Sequence, residues 1–387
     1  MDAKDAARAA IERANDALVG LSHRLHEHPE LGFEEERACD WVGSLLAEHG
    51  FDVETGVADL PTALSATYGS GDLVVGICAE YDALPGVGHA CGHNVIAAAA
   101  VAAGLALATV ADDIGVTVKV LGTPAEEGGG GKILMLDRGA FAGIHAAMMV
   151  HPAPEERVDP PTLAVAHIDV EFRGRDAHAS AYPERGLNAA DALTVSQVAI
   201  GLLRQHITAT DRIHGIVRHG GDAPNIVPSH TSGSWYVRAR TLAELAELQP
   251  RVERCFEAGA LATGCTYEVT AGSPPYSEFE HDNAMCELYK RNIEMVGRTV
   301  PELGTATFRE AGSTDMANIS LALPTIQPMI AIESDGSSNH QPEFAQHCAR
   351  PSADKAILDG GIAMAWTAVD LARDEAERGR LLAAAAS

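Results

Sequence analysis

Six short segments between residues 80 and 340 carry side chains that bind metal ions or transfer protons. The residues concerned are Glu80, Asp82, Cys91, His93, Glu126, Glu127, His151, His178, Asn339 and His340. Thiolate, imidazole and carboxylate groups together form the donor set of a transition-metal centre. We therefore predict that distant segments of the chain assemble one polar site.

The spacing within two of these segments indicates how the donors would face an ion. Cys91 and His93 are two residues apart, so in an extended segment both side chains would point the same way. Glu126 and Glu127 are adjacent, so one carboxylate could bind metal while the other contacts a water molecule. Alone, a Cys-x-His pair or a pair of glutamates is common without any metal, so the prediction depends on the whole set.

Four glycines follow the glutamate pair, at residues 128–131, and Lys132 comes next. A phosphate-binding loop would have Ser or Thr after the lysine and a glycine five positions before Gly131. Ile133 and Glu126 occupy those positions, which excludes this alternative. The glycines are instead expected to let the backbone turn tightly beside a ligand.

Composition limits the classes of partner. Twenty-eight basic against 54 acidic residues give a net charge of −26, which disfavours binding to nucleic acids and to anionic membranes.

Seven dispersed cysteines and the lack of an apolar amino-terminal run predict reduced thiols in the cytoplasm. The apolar run from 95 to 110 is shorter than the roughly 20 residues of a membrane span, so we predict a buried helix. A small-molecule substrate is the expected partner.

The elements that would position the donors follow from hydrophobic patterning. Residues 73–78, 116–121 and 146–150 are predicted strands with helical segments between them, which is typical of an α/β fold with a mostly parallel sheet and helices on both faces. Each strand is followed directly by candidate donors. In such sheets ligands gather at the carboxyl ends of the strands.

The pattern changes between residues 164 and 273. The predicted elements are strand 164–172, helix 189–206, strands 213–217 and 231–238, helix 243–262 and strand 266–270. This β-α-β-β-α-β order is the ferredoxin-like arrangement. We therefore expect a catalytic domain formed by residues 1–163 and 274–387, interrupted by an inserted α+β domain at 164–273. A further strand of the first domain is predicted at 325–332.

Several motifs together carry a resemblance to a known family. They are His26-Glu27-His28-Pro29-Glu30-Leu31-Gly32-Phe33, Asp82-Ala83-Leu84-Pro85, and the segments 89–93, 124–128, 174–178, 220–228 and 339–344. In these motifs the chain resembles the co-catalytic metallo-amidohydrolases, which include auxin-conjugate hydrolases, hippurate hydrolases, aminoacylases and aminobenzoyl-glutamate hydrolases. The resemblance implies a metallo-aminopeptidase-like catalytic domain and an inserted lid domain that mediates homodimerisation.

The resemblance also implies roles for the clustered residues. Two divalent metal ions per subunit, zinc or manganese with cobalt also accepted, would be bound by Cys91, His93, Glu127, His151 and His340. Cys91 would bridge the ions, Glu126 would be the general base, and Asp82 would orient a ligand from behind. A cation pair of this kind activates water and polarises an amide carbonyl.

Three residues of the inserted domain receive roles by the same resemblance. His178 would reach the site of the neighbouring subunit and donate a hydrogen bond to the oxyanion. Asn225 and Arg238 would hold the carboxylate of the substrate, and Arg240 could take the place of Arg238.

The chain departs from many auxin-conjugate relatives by having Glu80-Tyr81-Asp82 and Asn94 where they have Asp-Met-Asp and Asp. It is therefore more similar to the aminobenzoyl-glutamate hydrolase and dipeptidase branch. We expect hydrolysis of N-acyl amino acids or related small amides, with a dipeptidase or carboxypeptidase as the alternative, in which Glu80 could recognise a free amine. A non-catalytic binding relative is disfavoured because Glu126 and all the donors are present.

Overall fold

The computed structural model describes residues 2–301 and 311–384. The chain forms two compact units. The first contains Met1–Pro161, Phe279–Ala306 and Asp315–Ser387, and the second contains Thr162–Glu278 and Thr307–Thr314.

The strands alternate with helices through most of the chain. In the described residues the strands are β1 (Asp52–Thr55), β2 (Leu64–Tyr68), β3 (Leu73–Glu80), β4 (Val116–Thr123), β5 (Ala146–Met148), β6 (His151–Ala153), β7 (Ala164–Arg173), β8 (Arg212–His219), β9 (His230–Ala239), β10 (Thr266–Ala271), β11 (Thr325–Ile326) and β12 (Met329–Ala331). The helices are α1 (Ala3–Glu27), α2 (Glu36–Glu48), α3 (His93–Ala108), α4 (Ala111–Ile114), α5 (Gly131–Asp137), α6 (Ala189–Leu203), α7 (Leu242–Thr263), α8 (Asn283–Val296), α9 (Met316–Ser320), α10 (Pro342–His347), α11 (Pro351–Arg373) and α12 (Glu375–Ala384).

The first unit is built on a six-stranded sheet in the order β1-β2-β4-β3-β5-β11. Strands β4, β3, β5 and β11 are parallel, whereas β1 and β2 run antiparallel at one edge. Successive residues of β3 face opposite sides. Ile77 packs in the cluster that contains α1, α3 and α11, and Cys78 packs in the cluster that contains α5 and α9. The predicted α/β class, with helices on both faces, is confirmed.

Two predicted strands of this unit are shorter than expected. The strand predicted at 146–150 ends at Met148, and β6 begins after a break at 149–150. The segment 325–332 divides at a second break into β11 and β12, and β6 pairs with β12 in a separate two-stranded sheet. Pro328 lies at the second break, where proline has no N–H for a ladder, and its carbonyl accepts from the N–H of His151 at 2.9 Å. The prediction of a continuous strand at 325–332 was wrong, and the strand predicted at 146–150 is shorter by two residues. The division turns His151 away from the main sheet.

Helix α3 is the centre of the first unit and is buried on all sides except at its last residue. Small side chains allow close packing, because a Cβ added to Gly361 of α11 would lie 2.6 Å from the Cβ of Ala102. The predicted buried helix is therefore confirmed. Of the helices that the structure describes, none combines the length and the apolarity needed to cross a bilayer.

The second unit has the element order β7-α6-β8-β9-α7-β10 and an antiparallel sheet in the order β10-β7-β9-β8. Side-chain caps begin both helices: Asn188 accepts from Ala190 N–H at 2.9 Å, and Thr241 accepts from Glu244 N–H at 3.2 Å. Helix α7 ends at Gly264 with φ 70°. Every element agrees with its predicted span to within three residues.

Candidate metal centre

Two groups of potential metal donors in the first unit share one residue. Cys91, His93 and His151 form one group, and Cys91, Glu127 and His340 form the other, with the donor atoms of each group within 4.8 Å of one another. The Cys91 Sγ atom lies 3.4 Å from His151 Nε2 and 3.5 Å from His340 Nε2. The structure thus brings together all five residues that the sequence selected as ligands.

The position of Cys91 and His93 depends on a tight turn. The expectation of an extended segment was wrong, because Cys91 lies in a turn and His93 begins α3. Gly92 between them has φ 76°, and a Cβ there would lie 2.4 Å from Pro152 Cγ. A left-handed backbone and this close approach both require glycine, so Gly92 allows thiol and imidazole to reach the same space.

Glu126 and Glu127 also lie in a turn, three residues beyond the end of β4, and not in an extended strand as expected. The Glu126 Oε2 and Glu127 Oε1 atoms each lie 3.8 Å from His93 Nε2. Glu127 Oε1 is also 3.5 Å from His340 Nε2. The two carboxylates therefore reach the same cluster from consecutive positions.

Asp82 stands behind the cluster and is fully buried. Its Oδ1 atom is 3.0 Å from His93 Nδ1, and its Oδ2 atom accepts from the Glu127 N–H at 2.9 Å. An Nδ1–H donor directs the Nε2 lone pair of His93 into the cluster, as in carboxylate–histidine–metal arrangements. Among the described residues, His93 Nε2 and Glu127 Oε1 are buried without a hydrogen-bond partner. A divalent cation would satisfy both atoms.

His151 and His340 complete the two groups from the opposite side. His151 Nδ1 lies 2.9 Å from the carbonyl of Pro152, which again leaves Nε2 as the donor atom toward Cys91. His340 has φ 72°, and its N–H donates to the carbonyl of Ala90 at 2.8 Å. Asn339 donates to the Pro152 carbonyl at 3.2 Å. These contacts bind the segment near residue 340 to the turn that carries Cys91.

Burial makes the charged form unfavourable for three groups of the cluster. Burial raises the pKa of the Cys91 thiol well above its usual range, and burial followed by Glu80 and Glu127 raises the pKa of Glu126. Burial lowers the pKa of His151 to about 4, so its ring is neutral. A bound cation favours thiolate, carboxylate and neutral imidazole together, so the donor set fits a divalent metal.

A buried lysine that the sequence reasoning missed lies beside the cluster. Lys132 Nζ is 2.5 Å from Glu80 Oε1 and 2.7 Å from Asp315 Oδ1, and all three side chains are completely buried. Glu80 Oε2 is 3.4 Å from His93 Nε2. This pairing favours a structural role for Glu80 over recognition of a substrate amine. The position of Lys132 at the start of the otherwise mainly apolar helix α5 could have indicated a buried lysine. Nothing in the sequence indicated that Asp315 would be its partner.

The remaining predicted residues lie in the second unit. His178 is exposed, and its Nδ1 accepts from the Ala181 N–H at 3.2 Å, which leaves Nε2–H as a donor in the neutral ring. Asn225 is exposed, and its backbone carbonyl accepts from the Ala179 N–H. Arg238 Nη1 donates to Ser313 Oγ at 2.6 Å, whereas Arg240 pairs with Glu244 at 2.5 Å.

Comparison with known proteins agrees with this geometry. A model of peptidase family M20/M25/M40 matches residues 76–355. The chain is 36% identical to the Xaa-Arg dipeptidase of Mus musculus, over 95% of this chain and 88% of that protein. It is 33% identical to one of the subunits of the p-aminobenzoyl-glutamate hydrolase of Escherichia coli K12, over 67% of this chain and 58% of that protein.

A solved structure supports the fold assignment. A dinuclear metal-binding peptidase of the M20 family from Bacillus subtilis matches with a TM-score of 0.68 at 20% identity, covering 93% of this chain and 99% of that one. The resemblance inferred from the sequence motifs is confirmed. The chain belongs to peptidase family M20/M25/M40 and is a hydrolase of amide bonds.

Proposed function

We propose that the protein is a dinuclear metal-dependent hydrolase that cleaves the amide bond of dipeptides and related N-acyl amino acids. The observation that carries the proposal is the meeting of two donor groups at Cys91, with Glu126 beside them. Cys91, His93, Glu127, His151 and His340 would hold the ions. Zinc and manganese suit this mixed donor set, and cobalt is also accepted.

The reaction follows from the positions of the chain's own groups. When bound, two cations would polarise the amide carbonyl and lower the pKa of a water molecule. Glu126 accepts the proton of the attacking water and transfers it to the departing amine. Asp82 keeps the His93 ring oriented during turnover, since it bonds Nδ1 and leaves Nε2 directed into the cluster.

A dipeptide with a basic carboxyl-terminal residue is the first candidate substrate. The relative that is 36% identical along nearly the whole chain is named an Xaa-Arg dipeptidase. The net charge of −26 also attracts a cationic substrate and repels an anionic one. N-acylated amino acids are the second candidate class, supported by the 33% identity to a component of p-aminobenzoyl-glutamate hydrolase.

Three residues of the second unit are proposed to act on the substrate. Arg238 is the better candidate for the substrate carboxylate, since Arg240 is exposed and held by Glu244. Asn225 would assist it. His178 would act in the site of a partner subunit, donating from Nε2 to the oxyanion, which its tautomer supports.

A homodimer formed through the second unit is part of the proposal. Strand β8 is an edge strand of the sheet and exposes Ile216 and Val217. Helix α6 exposes Val198 and Leu202. An exposed edge strand is a template for pairing with a second chain. The seven buried, unpaired cysteines fit a reducing compartment, so we place the protein in the cytoplasm.

One experiment tests the function directly. Protein stripped with chelator and reconstituted with zinc, manganese or cobalt would be incubated with Ala-Arg, Ala-Ala, N-acetyl-arginine and aminobenzoyl-glutamate, and products would be measured by mass spectrometry. We expect cleavage that requires metal, with the highest kcat/KM for Ala-Arg. Absence of cleavage for all substrates with all three metals would exclude the proposal.

A further inference from the structure

We propose that Glu35, which lies outside the cluster, is a positioning residue that fixes the direction of Glu126 through the backbone N–H of Ala125. The inference rests on the proposed role of Glu126 as the general base. Glu35 lies two residues after the motif His26–Phe33, a segment that the candidate centre leaves unexplained.

Glu35 is the middle residue of Glu34-Glu35-Glu36, a run that by sequence alone is typical of a solvated surface. Glu34 and Glu36 are exposed, but Glu35 is completely buried. Its Oε1 atom accepts from the Ala125 N–H at 2.8 Å, and its Oε2 atom accepts from the Thr62 hydroxyl at 2.8 Å. A carboxyl group that is buried between two donors is fixed in place.

The backbone that Glu35 holds is strained. Ala125 has φ 55°, a left-handed conformation that is unfavourable for a non-glycine residue. The space around it is also tightly limited: a Cβ added to Gly32 would lie 2.9 Å from the Ala125 Cβ, and one added to Gly129 would lie 2.6 Å from it. The buried hydrogen bond from Ala125 to Glu35 therefore helps to maintain the turn that directs Glu126.

Two acidic side chains each accept a hydrogen bond from one backbone N–H of this turn. Asp82 accepts from the N–H of Glu127, the proposed metal ligand. Glu35 accepts from the N–H of Ala125, the residue before Glu126, which is the proposed base. Loss of the Glu35 contact should therefore misplace the base while the metal donors remain bound. The effect should appear in kcat, and not in KM or in metal affinity.

Two substitutions at Glu35 distinguish the effect of side-chain length from the effect of replacing the carboxyl group. Glu35→Gln keeps an oxygen at the distance of the Ala125 N–H, and the Thr62 hydroxyl can accept from the new amide. Glu35→Asp keeps the carboxyl group but shortens the side chain by one methylene, so the carboxyl group no longer reaches Ala125. Thr62→Val is the matched control, because it removes the second partner of Glu35 and leaves the first.

We expect Glu35→Asp to lower kcat by about 10- to 100-fold, as a misplacement of about 1 Å does, with KM within about 2-fold. Glu35→Gln and Thr62→Val should keep kcat within about 3-fold of the unmodified protein. The rise in melting temperature on adding zinc should be the same in all four proteins. Hydrogen exchange measured on the peptide that contains Ala125 should accelerate in Glu35→Asp and stay slow in Glu35→Gln.

Four results would overturn the inference: unchanged kcat in Glu35→Asp, an equal loss in Glu35→Gln, loss of the zinc-induced stabilisation in Glu35→Asp, or slow exchange at Ala125 in Glu35→Asp. The exchange measurement needs no substrate, so it also decides whether Glu35 holds the turn if the protein cleaves none of the amides. Failure of the unmodified protein to turn over would count against the proposed function, whereas slow exchange at Ala125 in Glu35→Asp would count against the positioning role.

Discussion

The Oδ1 atom of Asp82 lies 3.0 Å from the Nδ1 atom of His93, and both side chains are buried. The other carboxylate oxygen accepts from the Glu127 N–H. Asp82 therefore orients one donor from each of the two groups that share Cys91.

Asp82→Asn should weaken metal binding by about 10- to 100-fold, because an amide cannot accept from His93 and from the Glu127 N–H at the same time. Competition with a fluorescent chelator measures the affinity. Asp40→Asn removes an exposed carboxylate and serves as the control. Equal affinities in the two variants would contradict the orienting role of Asp82.

Glu126→Gln should retain both metal ions and lose about 100- to 10,000-fold in kcat, since the amide cannot accept the proton of the attacking water. Cys91→Ala should instead lose metal, because both donor groups contain the thiol. Elemental analysis and steady-state kinetics distinguish the two variants. Near-normal turnover in Glu126→Gln would mean that another group is the base.

Lys132→Met should destabilise the protein by about 3 to 5 kcal/mol, because it leaves the buried carboxylates of Glu80 and Asp315 without their cation. Chemical denaturation in the presence of chelator measures the free energy of unfolding. Adding Glu80→Gln and Asp315→Asn to Lys132→Met removes both charges and should recover part of the loss. If Lys132→Met alone is as stable as the unmodified protein, the ion pairs contribute little to the free energy of unfolding.

His167 should make the stability of the second unit depend on pH. Burial, followed by the nearby Arg238, lowers the pKa of His167 to about 4, below the usual value of 6.5. Between these values the unfolded chain binds more protons than the folded chain, so stability falls as pH decreases from 6.5 to about 4. The full effect is at most about 3 kcal/mol.

The pH effect is measured by urea denaturation of the unmodified protein and His167→Gln at intervals from pH 7 to pH 4. The difference in unfolding free energy between them isolates His167 from Asp169 and the other titrating groups. We expect the variant to have the shallower pH dependence over this range. Parallel curves would show that His167 does not titrate differently in the folded chain.

Inactive His178→Ala chains mixed with inactive Glu126→Gln chains should regain activity if His178 serves the partner's site. Random mixing yields heterodimers in which one site has both an intact base and an intact histidine. Up to about one quarter of the original activity is then expected, since half of the dimers each have one complete site. Confirmed heterodimers without activity would place His178 outside the partner's site.

The sequence could predict that the donor side chains lie together, because their chemistry and their places after strands are local properties. Glu127 and His151 follow β4 and β5, as the alternation of strands and helices required. The geometry near Cys91 was not predictable in the same way, since the turn depends on the contact of Gly92 with Pro152, about 60 residues away in the chain.

Charged residues in the interior were the main feature that the sequence did not reveal. Glu35 and Asp315 lie in polar segments of the kind that usually face solvent. Their burial depends on partners that are distant in the chain, Ala125 for Glu35 and Lys132 for Asp315. A single sequence contains no periodic signal for such pairs. Long-range packing determines which carboxylates of this acidic chain are withdrawn from water.

The dispersal of the donors along the chain has a consequence for biosynthesis. A nascent polypeptide presents Cys91, His93 and His151 early, but the group that contains Glu127 stays incomplete until His340 has left the ribosome. Truncation anywhere before that histidine would leave a chain with at most one complete set of ligands. Under the proposed function, the second ion would therefore be bound only after the segment that contains His340 has been translated and has folded against the turn at Cys91.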